Sequence, residues 1–414
     1  LPGYRELFIT ILVEIFFRKP DILYAVGIKY VSKNIGRRIR RNMHKMNSLR
    51  EEFNKVAKFQ KFTHLPHFEG MAFWGETITR WYGEGLPEDT TPWEFFQLDR
   101  FMDNAPKEIS YHTDRVVSPP YWPPLQNEIV EETESYVIQR EDDGIIKKQL
   151  KNGVSMPYFI RFPVENRRNW EEMKVLLNPE DEQRYSSTVK IAPSLKNRDF
   201  ILRFGLCGGY GFQRNLFGEE KLCYVYYDDP CLIHDIMKHW VYLYSTIADH
   251  LCPLIDFDYV FLWEDMAYKT SSLISPSHFR EFILPYYKEL IRYLHERYSL
   301  DLFMVDSDGN NFSLLPLFIE GGVNMFTPLE ISAGMEPLVI REQFPYLALL
   351  GGIDKRVLLK SKKEIEEEIM RKVPQMLRIG GYFPSLDHHV PSDISFENFC
   401  YYIEYIREVE NTAL

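Results

Sequence analysis

The chain has 414 residues, 45% of them hydrophobic and 15% aromatic, enough to bury a large core in one barrel-sized domain with an extension or in two smaller domains. Its net charge of −11 argues against a general nucleic-acid binder, because neutralising phosphates takes an excess of Lys and Arg on one face. Five scattered cysteines without a CxxC pair exclude a disulfide framework and fit a reducing cytoplasm, and no apolar run reaches the roughly 18 to 20 residues that span a bilayer.

The first sixty residues carry 13 Lys or Arg against 5 Asp or Glu, so the acidic excess lies in the remainder. Residues 1–67 read as a basic, mainly helical extension. Its sharpest part, 29–45 with Arg37, Arg38, Arg40 and Arg41, suits either a solvated helical face or a dock for an acidic partner, a membrane surface or a second subunit, a homodimer included. Residues 106–163 are rich in proline and aromatics. There, Asp142-Asp143-Gly144 between alternating 136–138 and 145–151 predicts a β-hairpin decoration.

From about 185 onward, apolar strand-like runs alternate with amphipathic helices. The runs are 188–192, 200–205, 259–263, 302–305, 323–326, 347–350 and 382–385. Ser275-Pro276 opens a helix, since Ser caps and Pro suits the first turn. The segment 362–377 places Ile365, Ile369, Val373, Met376 and Leu377 on one stripe, with Glu364, Glu366, Glu367 and Glu368 toward water. Short strands buried on both faces and alternating with helices imply a parallel sheet. Without a glycine-rich dinucleotide turn, the expected architecture is a (β/α)8 TIM barrel over 68–414.

In such barrels the chemistry follows the strands, and five successive runs end in ionisable residues: Glu264 and Asp265; Asp306, Ser307, Asp308 and Asn310; Glu330; Asp354 and Lys355; Asp387, His388 and His389. Taken alone, Asp354 and Asp387 fit helix N-caps. As an array, carboxylates converging on one mouth repel unless a cation, Lys355 or a proton offsets them, which favours a site. A metal on oxygen ligands plus His388, or a carboxylic acid acting as general acid, both remain open. Asp306-Ser307-Asp308-Gly309-Asn310 begins like a calcium loop, but loop position 12 falls on Leu317, which rejects an EF-hand. Gly205-Leu206-Cys207-Gly208-Gly209-Tyr210-Gly211 suits an anion cradle or simply a tight turn.

Trp263-Glu264-Asp265-Met266-Ala267-Tyr268-Lys269, Ser275-Pro276, Asp306-Ser307-Asp308-Gly309-Asn310, Gly351-Gly352-Ile353-Asp354-Lys355-Arg356 and Gly380-Gly381-Tyr382 through Asp387-His388-His389-Val390-Pro391 come in the order shown by the uroporphyrinogen decarboxylase superfamily, which the chain resembles from about residue 68 to its end. Trp74-Gly75-Glu76-Thr77, Arg80-Trp81, Glu84-Gly85-Leu86-Pro87 and Tyr227-Asp228-Asp229-Pro230 fit the same group. The resemblance implies a β/α barrel, in a superfamily with at least two activities: cofactor-free porphyrinogen decarboxylation, and methyl transfer to or from a corrinoid protein. The decarboxylases' Arg-Gln-Ala-Gly-Arg segment has no counterpart here. Where the corrinoid-linked methyltransferases bind zinc through His-x-Cys and a distant Cys, this chain has Asp306, Asp308 and His388.

That substitution argues against a thiol-activating zinc site and toward oxygen chemistry. The expectation is a cytoplasmic methyltransferase that takes a methyl from a small O-methyl donor, such as a methoxyaromatic, to the cobalt of a corrinoid (cobalamin) on a partner protein. Glu264, Asp306, Asp308, Glu330, Lys355 and His388 are the expected catalytic set, with Asp306, Asp308 and His388 as ligands of any zinc ion. Trp263, Asn310 and Tyr210 are the expected substrate contacts. The competing reading, a lyase decarboxylating a carboxylated ring, requires arginines at the mouth, for which Arg80, Arg203 and Arg214 are the candidates.

Overall fold

The computed structural model describes residues 48–69, 71–99, 121–151 and 157–413. The chain divides into two compact units, Leu1–Ser48 and Leu49–Leu414. Most of the basic extension, its Arg-rich part included, lies outside the described residues, as do Pro119 and Pro120.

Helices α1 (Leu49–Ala57), α2 (Gly75–Tyr82) and α3 (Pro92–Phe95) precede an antiparallel sheet of β1 (Glu128–Glu132), β2 (Tyr136–Arg140), β3 (Ile146–Leu150) and β4 (Tyr158–Arg161), paired in that order. The expected hairpin is therefore the centre of a four-stranded decoration. Its turn forms as read: Asp143 Oδ1 accepts from Ile145 N at 2.9 Å, and Gly144 takes a φ of +85°.

Next come α4 (Arg167–Leu176) and α5 (Ser186–Leu195), then β5 (Arg203–Cys207), α6 (Gly209–Phe217), α7 (Glu219–Asp228), α8 (Pro230–Leu251), β6 (Tyr259–Trp263), α9 (Pro276–Phe282), α10 (Leu284–Tyr298), β7 (Phe303–Asp306), α11 (Leu315–Gly321), β8 (Met325–Thr327), α12 (Pro337–Gln343), β9 (Ala348–Leu350), α13 (Lys362–Ile379), β10 (Tyr382–Phe383) and α14 (Phe396–Ala413). The strand expected at 188–192 is instead the middle of α5. Its β-branched residues look strand-like, but Thr188, Ala192 and Leu195 are the buried ones, and that spacing is helical.

Strands β5 to β10 form one parallel sheet in sequence order. Six strands, not eight, are hydrogen-bonded among the described residues, and they do not close into a ring there. Phe68 and Phe73 lie beside β10 and the loop after it: Phe73 bridges Val390 in parallel, and the Phe68 ring stacks on Phe383 at 5.5 Å. Phe53 of α1 lies 5.6 Å from the Tyr259 ring of β6 and 5.2 Å from the Phe383 ring of β10. Arg50 binds Asp256 and Asp258 just ahead of β6, and Lys58 binds Asp301 just ahead of β7. Helix α1 thus packs at the amino-terminal ends of the strands and leaves their carboxyl ends for a site. No helix among the described residues is long and apolar enough to cross a membrane.

The outer helices start where the sequence says they should. The Ser275 side chain accepts from His278 N at 3.1 Å, Asp229 caps α8 ahead of Pro230, and Ser361 and Glu364 form a capping box on α13. On α13 the expected stripe is buried, but Glu368 does not face water. It pairs with the wholly buried Lys372 at 2.5 Å and accepts from Asp354 N at 3.1 Å, while Lys372 donates to the Gly352 carbonyl at 2.7 Å. The pair pins the glycine turn after β9. Ile369 is fully buried, so Ile369→Val is expected to cost about 0.5 to 1.5 kcal/mol in urea unfolding. No loss would place this face of α13 outside the core.

Candidate active site

Cys207, Trp263, Asp306 and Thr327 end β5 to β8 in mutual register, so their side chains share one face of the sheet. Beyond them the loop after β7 is tightly held. Ser307 Oγ accepts from Met266 N at 3.0 Å and donates to Asn311 Oδ1 at 2.9 Å, while Asn311 Nδ2 bonds the carbonyls of Ser307 and Asp308. Gly309 has a φ of +78°, and a Cβ there would lie 2.6 Å from the Ala267 carbonyl oxygen, so only glycine lets the two loops approach. The loop presents Asp308, whose Oδ2 lies 3.2 Å from His388 Nε2 in the loop after β10. With side chains 40% and 18% exposed, the two form a hydrogen-bonded pair open to solvent.

Glu264 is placed differently. It is wholly buried; Oε2 accepts from Gly211 N at 2.8 Å and Oε1 from the Tyr287 hydroxyl. The backbone N–H groups of Tyr210 and Gly209 also face it. A Cβ on Gly208 would stand 2.3 Å from the Glu264 carboxyl carbon, so the glycine run is a cradle and the group it holds at the start of α6 is the protein's own Glu264 carboxyl. Burial pushes this carboxyl up to about 7, against the opposing pull of the Tyr287 and backbone donors. Tyr210 is buried in α6 beside it.

The other sequence candidates brace loops. Glu330 Oε2 accepts from Gly309 N at 2.8 Å. Asn310 donates to the Ala333 carbonyl at 2.8 Å and accepts from Phe312 N at 3.1 Å, which engages both ends of its amide. Lys355 gives its backbone N–H to Asp387 Oδ1 at 3.1 Å. Asp354 is the N-cap expected of it, accepting from Arg356 N at 3.0 Å. Asp387 is not a cap. Almost fully buried, it takes Lys355 N on one oxygen and Ile331 N on the other at 3.0 Å. The His389 ring lies 5.0 Å from that of His388.

The expected zinc set does not assemble. Asp308 and His388 meet, but no group of three His, Cys, Asp or Glu side chains able to hold a metal forms among the described residues. The candidate carboxylate-binding arginines are also committed. Arg80 pairs with Glu84 at 2.6 Å and with the Ser392 carbonyl at 2.7 Å. Arg203 begins β5, at the end away from the mouth, and packs 4.4 Å from the Phe261 ring. Arg214 lies over the Trp263 indole at 4.8 Å and is neutralised by Asp265 at 3.1 Å.

The sequence matches the family described as Uroporphyrinogen decarboxylase (URO-D) over residues 155–409. Among solved structures the fold is similar to a methyltransferase from Methanosarcina mazei, with a TM-score of 0.51 and 11% identity over 88% of this chain and 98% of that one. No curated protein matches the sequence. The family match covers every strand of the parallel sheet and the whole Asp308–His388 site, and the chain belongs to the uroporphyrinogen decarboxylase (URO-D) family.

Proposed function

We propose that this protein is a methyltransferase that moves a methyl group from an O-methylated small molecule, such as a methoxylated aromatic, to the cobalt of a corrinoid carried by a partner protein. The observation that carries the reading is the Asp308–His388 pair, partly open to solvent at the carboxyl end of the sheet. The committed state of Arg80, Arg203 and Arg214 weighs against the alternative, a lyase that grips a substrate's carboxylates. The Methanosarcina mazei fold neighbour, itself named a methyltransferase, is in keeping with this choice.

In the proposed reaction the methyl carbon–oxygen bond breaks and a carbon–cobalt bond forms. Cobalt(I) of the partner supplies the electron pair and becomes cobalt(III). The oxygen leaves with the pair of the broken bond and must be neutralised, which is the task we give to His388 in its protonated form. Asp308 accepts a hydrogen bond from Nε2–H, fixing the ring and leaving the Nδ1 proton for transfer to the departing oxygen. Glu264 takes no part in this scheme, since its oxygens are bound inside the glycine cradle.

Purified protein mixed with a cobalt(I) corrinoid and a panel of methoxylated compounds is expected to generate methylcobalt absorbance together with the free hydroxy compound. Release of carbon dioxide from a carboxylated ring without any need for cobalt would replace this reading with the lyase.

A further inference from the structure

Three carboxylates at the site form a closed circuit with the histidine. Asp387 Oδ2 accepts from Ile331 N at 3.0 Å. The residue before Ile331 is Glu330, whose Oε2 accepts from Gly309 N at 2.8 Å. The residue before Gly309 is Asp308, whose Oδ2 meets His388 Nε2 at 3.2 Å. His388 follows Asp387 in the chain, which closes the ring. The second Asp387 oxygen, Oδ1, takes Lys355 N at 3.1 Å, so the loops after β7, β8, β9 and β10 are all tied together. The circuit is held at two further points: Asp387 N donates to the Ile353 carbonyl in the loop after β9 at 2.8 Å, and Ser307 N to the carbonyl of Thr327 at the end of β8 at 3.0 Å.

From this geometry we infer that Asp387 and Glu330 are positioning residues for the Asp308–His388 pair, and that Asp387 needs both carboxylate oxygens while Glu330 needs only one. The importance of the pair to turnover rests on the proposed function; the positioning itself does not. The two roles predict different responses to the same chemical change. Gln in place of Glu330 keeps one acceptor oxygen for Gly309 N and is tolerated. Asn in place of Asp387 also keeps one oxygen, but turns an amide NH2 toward a backbone N–H, so one arm of the clamp opens. A residue serving general electrostatics would show no such asymmetry, since both replacements remove one negative charge.

The test uses full-length protein labelled with 15N-histidine, with the His388 signal identified by its loss in His388→Gln. Glu330→Gln is expected to leave the His388 Nε2 resonance as in the wild type, because its amide oxygen still accepts from Gly309 N. Glu330→Ala and Asp387→Asn should both shift the resonance and lower kcat by about 10²-fold with KM within about twofold, the effect of a reacting group displaced by roughly an ångström. Ile331→Pro removes the donor without touching the carboxylate. It lies at the first position of a 3-10 turn and follows the extended Glu330, where proline fits, so it should fold and shift the resonance as Asp387→Asn does. A wild-type His388 resonance in folded Asp387→Asn or Ile331→Pro overturns the proposal, as does a Glu330→Gln shift equal to that of Glu330→Ala. The resonance is read without any reaction, so failure of the methyl-transfer assay alone strikes the functional reading and leaves this one standing.

Discussion

Replacing Asp308 by Ala is expected to lower kcat/KM for methyl transfer by about 10²- to 10⁴-fold, the range for losing a positioned acid–base group, while stability changes by about 0.5 kcal/mol or less. The two halves of this expectation have separate causes. The Asp308 side chain is 40% exposed and, among the described residues, its carboxylate bonds only His388, so the described core does not depend on it. Its loop is secured instead by Asn311, Ser307 and Gly309, all of which remain in the variant. In the proposed reaction the carboxylate orients the imidazole by accepting a hydrogen bond from Nε2–H and supports its positive charge. Asp308→Asn separates these contributions: the amide oxygen still accepts from Nε2 but no longer carries charge, so an intermediate rate is expected. A folded Asp308→Ala that turns over at the wild-type rate would remove the pair from the mechanism. A large fall in melting temperature with activity retained would make Asp308 a structural residue.

Much of the fold is legible in the sequence where burial and period coincide. Tyr259–Trp263 is a strand because five apolar residues in a row suit a sheet covered on both faces, and α13 starts at Ser361 because the capping box is written there. The strand expected at 188–192 failed because β-branched residues in a short window outweighed the spacing of its buried positions. At the site, Asp308 and His388 are visible as ionisable residues following strands. Asp387 reads as a helix cap because its true partners are backbone N–H groups from two distant loops, and backbone donors leave no mark in a sequence. The pairing of Glu264 with the glycine run had a signal that sequence reasoning left unused. Consecutive glycines beside a strand mark a place where something approaches the backbone, and a carboxylate ending the next strand in order was available to do so.

Glu264 carries the second large prediction, one of stability against pH. Buried in its cradle, the carboxyl titrates at about 7 in the native protein against 4.5 for the exposed group, so between those values the native state holds a proton that the unfolded chain has released. Raising the pH through that window therefore favours unfolding, and by about pH 8 the loss attributable to Glu264 is on the order of 3 kcal/mol. Gln has the shape and hydrogen-bonding pattern of the protonated acid: one oxygen for Gly211 N and a donor for the Tyr287 oxygen. Glu264→Gln is thus expected to be close to the wild type in unfolding free energy at pH 5, and to exceed it increasingly from pH 5 to 8. Glu69, which accepts from Leu386 N and is also pushed by burial to about 7, is unchanged in the variant. It contributes to both curves alike, so their difference isolates Glu264. Parallel curves over pH 5 to 8 would mean that Glu264 is ionised in the folded protein throughout. The donors at the start of α6 would then outweigh burial, and the cradle would be holding a carboxylate anion in place of a neutral acid.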